Sequence, residues 1–258
     1  MKSTDRVADA ARMLLDARAT RTRLASLPAQ ATPQSLDEAY AIQDAIVAAT
    51  GPIAAWKVGA KSPRDEPQCA PICAAWLHRS PARFTAGSFA LNGIEAELAF
   101  TLARDLAPRD ARYTTDEIVA SIASVHPVIE VVESRFVDVN GVDALSRLAD
   151  FVSHGALVVG PGVPLPPGLD VGRQSVELDI DGKAMLRDRG SNPAGDPFGL
   201  IAWLANHAVA RCGGLTEGTI VTTGSWTGLA IAPQGAGVTA RFPGIGEARI
   251  AGSAGPNK

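Results

Sequence analysis

Glu95 and Glu97 stand two residues apart in Gly-Ile-Glu-Ala-Glu-Leu-Ala-Phe (residues 93–100), and residues 89–102 around them contain no lysine or arginine. The apolar run reads as a buried strand, in which side chains at i and i+2 point to the same face. Two carboxylates held side by side with little water repel each other and carry a large desolvation cost. A divalent cation relieves both, and an all-oxygen donor set suits Mg²⁺ or Mn²⁺. Taken alone, the pair reads more readily as two acids on the wet face of a half-exposed strand. Glu130 changes that balance. It lies in a second apolar, β-branched run, His-Pro-Val-Ile-Glu-Val-Val-Glu-Ser-Arg-Phe (126–136), which also reads as a strand. Two acids on one strand and one on a neighbour predict a three-carboxylate metal site, Glu95, Glu97 and Glu130, with positions open to substrate and water.

Lys57 lies in Ile-Ala-Ala-Trp-Lys-Val-Gly (53–59), a short apolar strand. Its stem can be buried while the ammonium reaches water. Alternatively, it is a lysine desolvated beside the metal, with a lowered pKa suited to proton transfer. Ser225 and Thr227 fall in Thr-Thr-Gly-Ser-Trp-Thr-Gly (222–228). Such a glycine-flanked turn can offer hydroxyls and backbone N–H groups to a carboxylate, or be an ordinary tight turn. The Gly-x-Ser-x-Gly spacing of a nucleophile elbow is absent. The four histidines, His78, His126, His154 and His207, make no zinc motif and are not expected to ligate metal. His154 precedes an apolar strand, at a loop that can face a site, and His207 falls on a helix. Cys69, Cys73 and Cys212 cannot all pair and read as reduced thiols.

These residues need a scaffold. Helical periodicity covers residues 4–26, and prolines break the chain over 28–33. A second helix starts near Ser35, with Asp37 and Glu38 in its first turn, and stops at Gly51. Residues 61–84 read as a proline-containing loop. The remainder is strand-rich, with turn signals at 161–162, 166–168, 181–182 and 213–214, and one helix over 197–212. Strands grouped together with few helices predict an α+β fold. The expected organisation is an N-terminal helical or lid portion (1–84), a β-rich catalytic core (85–251) and a frayed tail (252–258).

Composition narrows the function. The 258 residues are 46% apolar and 20% charged, and 24 basic against 27 acidic side chains give a net charge of −3. The basic residues are scattered, so neither nucleic acid nor a membrane is an expected partner. No long apolar span is present, and the acidic and basic amino terminus lacks the features of a signal peptide. A cytoplasmic protein acting on a small molecule is the expectation.

Ala39-Tyr-Ala-Ile-Gln43, Trp56-Lys-Val-Gly59, Glu95-Ala-Glu97, Val128-Ile-Glu-Val-Val-Glu-Ser-Arg135 and Gly224-Ser-Trp-Thr-Gly228 occur in that order. With them the sequence resembles, over roughly residues 35–250, the 2-keto-4-pentenoate hydratase branch of the fumarylacetoacetate hydrolase superfamily, including its 4-oxalocrotonate decarboxylase relatives. The resemblance implies a mixed, rolled β-sheet core behind an N-terminal helical portion, and a homo-oligomer. It implies that Glu95, Glu97 and Glu130 hold Mg²⁺ or Mn²⁺, that Lys57 is an acid/base residue, and that the turn with Ser225 and Thr227 binds the substrate carboxylate.

The sequence departs from the family after the lysine strand, where Pro-Asp-aromatic-Gly is usual. Here it reads Asp65-Glu-Pro-Gln-Cys-Ala-Pro-Ile72. Aligned on Pro67, Gln68 replaces the acid, and Asp65 or Glu66 are the nearby carboxylates that can take its place. Asp150-Phe151 likewise stands where the family has Asp-Asn. The implied activity is a metal-dependent lyase, a hydratase of a small 2-hydroxydienoate or 2-oxo acid as in aromatic-compound catabolism. Decarboxylation of a 4-oxalocrotonate-like acid, C–C hydrolysis of an acylpyruvate, and a catalytically silent keto-acid-binding relative are the alternatives.

Overall fold

The computed structural model describes residues 3–189 and 192–253. Its helices are α1 (Ser3–Thr20), α2 (Leu36–Thr50), α3 (Thr115–Val119), α4 (Ala144–Ala149) and α5 (Pro197–Cys212). The first strands are β1 (Ile53–Gly59), β2 (Gln68–Cys73), β3 (Leu77–Arg79), β4 (Ala82–Arg83), β5 (Gly93–Leu102), β6 (Ile122–Val132) and β7 (His154–Val159). They are followed by β8 (Val163–Pro164), β9 (Ser175–Ile180), β10 (Lys183–Arg189), β11 (Ile220–Ser225), β12 (Ala230–Ile231), β13 (Val238–Phe242) and β14 (Gly246–Ala251).

Among the described residues, one sheet runs β2-β1-β11-β5-β6-β7-β3, with β12 added to β5 and β8 to β6. It is mixed: β1 lies parallel to β11 and β3 to β7, and the other pairings are antiparallel. The second sheet runs β10-β9-β13-β14-β4. The expected α+β fold with a curled, mixed sheet is what forms.

The pleat sorts the long strands into two cores. Ile94, Ala96, Leu98 and Phe100 of β5 join Ile129 and Val131 of β6, and Trp56 and Val58 of β1, in a core shared with the second sheet. The opposite face carries Ala99, Val128, Ala55 and Leu157 into a core with Leu14, Ile42, Ile46 and Leu148 of the helices. Helix α2 is fixed at its start by Ser35, whose hydroxyl accepts the Glu38 N–H, as expected for an N-cap serine. Buried Gln43 reaches from α2 to donate to the Cys69 and Leu148 carbonyls at 3.3 and 2.6 Å.

Two sequence expectations need correction. Residues 61–84 are not all loop, because 68–73 form β2 against β1. Pro71 obscured this strand, yet it lies opposite Trp56 on an edge strand, where a missing N–H is tolerated. The first helix ends at Thr20 rather than near 26. Arg21 turns to φ 59°, and Leu24 bridges to Phe136 beside the main sheet. Of the expected tail, Gly252 and Ser253 follow β14, and residues 254–258 lie outside the described residues.

Candidate active site

Alternation and register together assemble the site. On β5, Glu95 and Glu97 share the helix-side face with Ala99, and on β6 Glu130 shares it with Val128. Glu95 lies directly opposite Glu130 in the β5–β6 ladder. On β1, Lys57 follows the same pleat as Ala55 and pairs with Thr222 of β11. Thr222 in turn pairs with Ala99. Strands β1, β5 and β6, with β11 between β1 and β5, therefore bring one lysine and three carboxylates to one spot on one face.

One carboxylate oxygen each from Glu95, Glu97 and Glu130 lie within 4.8 Å of one another, and no other group of three potential metal-binding residues is found among the described residues. Glu97 and Glu130 are buried, and Glu95 is partly so. Burial, and then Glu130, push Glu95 up to about 7. Burial, Glu130 and Glu95 push Glu97 well above the usual carboxylate range. A clustered, desolvated, oxygen-only set that resists ionisation fits a hard divalent cation.

Glu130 titrates the other way. Burial works upward on it, but Lys57 and His154 outweigh burial and hold it at about 2. Lys57 Nζ donates to Glu130 Oε1 at 2.5 Å and to the Val152 carbonyl at 3.2 Å. His154 Nδ1 donates to the same Oε1 at 2.8 Å, and burial holds this imidazole down to about 4, so it is neutral near pH 7. Glu97 is oriented by Thr222, whose hydroxyl donates to Oε2. Burial works to lower Lys57, but Glu130, Glu97 and Glu95 outweigh it and raise its pKa. The lowered pKa expected from desolvation is thus overridden by the nearby carboxylates, Glu130 first.

Lys57, Glu95, Glu97, Glu130 and Val152 line a cleft of about 560 Å³ with Lys61, Asp65, Glu66, Gln68, Asn192 and Ser225. Gln68 pairs with Gly59, two residues along from the Lys57–Ala70 pair, so it shares the Lys57 face. Asp65 accepts from the Ser62 hydroxyl at 2.8 Å, and Glu66 accepts from Trp203 Nε1 at 2.7 Å. Both carboxylates are at the rim and exposed. Ser225 ends β11 after a bulge, with Gly224 at φ 85°, and pairs with Glu97. Thr227 is not brought to the cleft: its hydroxyl accepts the Ala96 N–H at 3.0 Å and donates to the Gly228 carbonyl.

Sequence reading missed Thr222, Val152, Lys61 and Asn192, and left His154 without a role. His154 carried a signal, since a histidine opening an apolar strand at a site-facing loop is well placed to contact a neighbouring acid. The others depend on strand register. His126 is hydrogen-bonded to Thr101, Ser124 and the Gly160 carbonyl, and His207 stacks on Trp203, both away from the cleft. The three cysteines are free thiols.

The fumarylacetoacetate (FAA) hydrolase C-terminal family matches residues 48–251. The chain belongs to that family. No curated protein matches it. Among solved structures, it is similar to 4-oxalocrotonate decarboxylase from Pseudomonas putida G7 complexed with magnesium and adipate, with 21% identity and a TM-score of 0.86 over 97% of this chain and 98% of that one. It is also similar to 2-hydroxyhepta-2,4-diene-1,7-dioate isomerase from Mycobacterium marinum (18% identity, TM-score 0.58, 78% of this chain and 75% of that one). A third is maleylpyruvate hydrolase from Sphingobium sp. SYK-6 (16% identity, TM-score 0.53, 76% and 69%). The likeness to the decarboxylase thus takes in α1 and most of α2, which precede the residues that the family matches. None of the described helices is long and apolar enough to cross a membrane.

Proposed function

We propose that this FAA hydrolase family member is a Mg²⁺- or Mn²⁺-dependent lyase acting on a small 2-oxo or 2-hydroxydienoate acid, with water addition to the conjugated chain as its reaction. The observation that carries this reading is the joining of Glu95, Glu97 and Glu130 with Lys57 in one cleft. The three carboxylates would hold the cation, with His154 and Thr222 fixing the orientation of Glu130 and Glu97, as outer partners of metal ligands commonly do. When bound, a divalent cation supplies Lewis acidity toward a carboxylate and an adjacent C2 oxygen, favouring the enolate character that all family outcomes need.

The chain's own residues do the rest. Lys57 moves a proton to or from the substrate chain. Its ammonium is held between Glu130 and the Val152 carbonyl, so the transferred proton has a fixed origin. A bound cation would offset much of the carboxylate charge and so weaken the upward pull on Lys57, against which burial works. Ser225 and Asn192 offer polar contacts at the cleft wall, and Gln68 can hold a water or substrate oxygen but cannot take its proton.

Decarboxylation is the second reading, and Gln68 favours it. Loss of CO₂ uses the same enolate stabilisation without a base to activate water. The whole-chain likeness to a decarboxylase is in keeping with it. A panel of 2-hydroxydienoates, 4-oxalocrotonate and acylpyruvates assayed with Mg²⁺ tests both, by product identity. Hydrated product supports the hydratase, and released CO₂ supports the decarboxylase. Cleaved pyruvate, or no turnover despite tight metal and keto-acid binding, overturns the lyase reading.

A further inference from the structure

Three successive residues, Phe151, Val152 and Ser153, lie in the left-handed backbone region, with φ of 55°, 51° and 59°. None is glycine, and valine is β-branched, so each is costly to hold there. Single left-handed residues are ordinary in turns, but a run of three at a cleft wall persists only if its surroundings impose it.

The imposing groups are Arg135 and Asp150, both buried. The Arg135 guanidinium donates to the Asp150 carbonyl at 3.0 Å and to the His154 carbonyl at 2.8 Å, so one fork grips the chain on both sides of the turn. Its Nε donates to the Asp150 carboxylate, which also accepts from Ser134 Oγ at 2.9 Å and the Arg135 N–H at 3.0 Å. Arg18, from α1, adds donors to the His154 and Gly155 carbonyls. Gly155 lets the chain leave the turn beside β6, because a side chain there would sit 2.6 Å from the Val131 carbonyl oxygen.

The product of this clamp is the position of one carbonyl. Val152 O accepts from Lys57 Nζ at 3.2 Å, and Val152 and Ser153 line the cleft. Were residue 152 to relax to an ordinary conformation, its carbonyl would swing away and leave the ammonium held by Glu130 alone. We infer that Arg135 and Asp150 are positioning residues, which hold a left-handed turn over 151–153 so that the Val152 carbonyl fixes Lys57 in the cleft. The inference rests on the reading of Lys57 as the proton-transfer group.

The test uses the full-length protein with Mg²⁺. Hydrogen–deuterium exchange at C3 of 2-oxopentanoate, followed by NMR, reports proton transfer, and calorimetry with Mg²⁺ and then oxalate reports binding. Asp150→Asn removes the charge that anchors Arg135. The expected result is a folded protein with kcat for exchange down by about 10- to 100-fold, the size of effect a misplaced catalytic group has, and KM and oxalate affinity within about twofold of the parent. Adding Val152→Asn, whose side chain tolerates the left-handed region, should restore a large part of kcat. Should Asp150→Asn fail to fold, Arg135→Lys keeps the charge but loses the fork, and the same split and the same recovery are expected. An unchanged kcat in the folded variant, or a loss shared equally by oxalate binding and not recovered by Val152→Asn, overturns the inference. Lys57→Met runs alongside: full exchange in that variant overturns the role of Lys57 itself, whereas lost exchange there with normal exchange in Asp150→Asn overturns only the clamp.

Discussion

Glu95 and Glu130 face each other across the β5–β6 ladder and titrate in opposite directions, Glu95 at about 7 and Glu130 at about 2. Both are desolvated carboxylates. The difference lies in their partners, because Glu130 has Lys57 and His154 on one oxygen while Glu95 has no such donor pair among the described residues. The cluster therefore has one firmly ionised member and two, Glu95 and Glu97, that hold a proton more readily than an ordinary carboxylate.

Metal binding should then release protons and strengthen with pH. A carboxylate whose folded pKa is raised binds protons more tightly in the native state, so its contribution to stability falls as pH rises from 4.5 to about 7 for Glu95, and in the same direction for Glu97. His154, held at about 4 against 6.5, opposes this below pH 6.5, because there the unfolded state binds the extra proton. Above pH 6.5 the carboxylates act alone. The Mg²⁺-induced rise in Tm should be larger at about pH 8 than at about pH 6, and calorimetry in buffers of different ionisation heat should detect proton release. A pH-independent Mg²⁺ effect would contradict the arrangement.

Glu97→Gln removes a buried ligand while keeping the acceptor for Thr222. In EDTA the variant should be at least as stable as the parent, since a neutral amide replaces a carboxyl whose ionisation burial, Glu130 and Glu95 oppose. Saturating Mg²⁺, which at a hundred times Kd stabilises a one-site protein by about 2.7 kcal/mol, should leave its Tm unmoved and turnover abolished. Thermal melts with and without metal decide this, and an undiminished Mg²⁺ response removes the three-carboxylate site.

Lys57→Met leaves Glu130 buried with only His154 beside it. Breaking one side of a buried ion pair costs about 3–5 kcal/mol, so the metal-free variant should melt well below the parent and recover much of the loss with Mg²⁺. Its kcat should fall by about 10²- to 10⁴-fold, the range for a lost general acid/base, with oxalate binding retained. Near-normal kcat would show that Lys57 only balances charge.

Gln68→Asp places a proton acceptor on the Lys57 face of β2, at the cleft wall. Hydration of 2-hydroxypentadienoate should rise by about tenfold or more if water activation is what the loop lacks. Asp65→Ala and Glu66→Ala are controls for a substitute base at the rim. If the unaltered protein already hydrates this dienoate efficiently and Gln68→Asp adds nothing, glutamine is not the limiting residue.

The strands that carry the chemistry were legible because their signals are local. Glu95 and Glu97 had to share a face, since the strand period is two, and the glycine-flanked turn at 224–228 followed from composition. Strand β2 was hidden, because Pro71 signals a break to any local reading and only its place on the sheet edge makes it harmless. Thr227 looked equivalent to Ser225 from sequence, yet the bulge in β11 sends Ser225 to the cleft and Thr227 to the β5 backbone.

By itself, the sequence determined that two acids would lie side by side in a desolvated strand, that a lysine strand and a third acid existed to join them, and that the fold would be α+β. Periodicity and burial settle those points within a few residues of chain. Only the tertiary structure decided which acid Lys57 pairs with, why its pKa rises rather than falls, and why a left-handed run at 151–153 is tolerated. Those depend on the register between β5 and β6, on β1 lying parallel to β11, and on an arginine nineteen residues from its most distant partner carbonyl, and no local pattern encodes such long-range pairings.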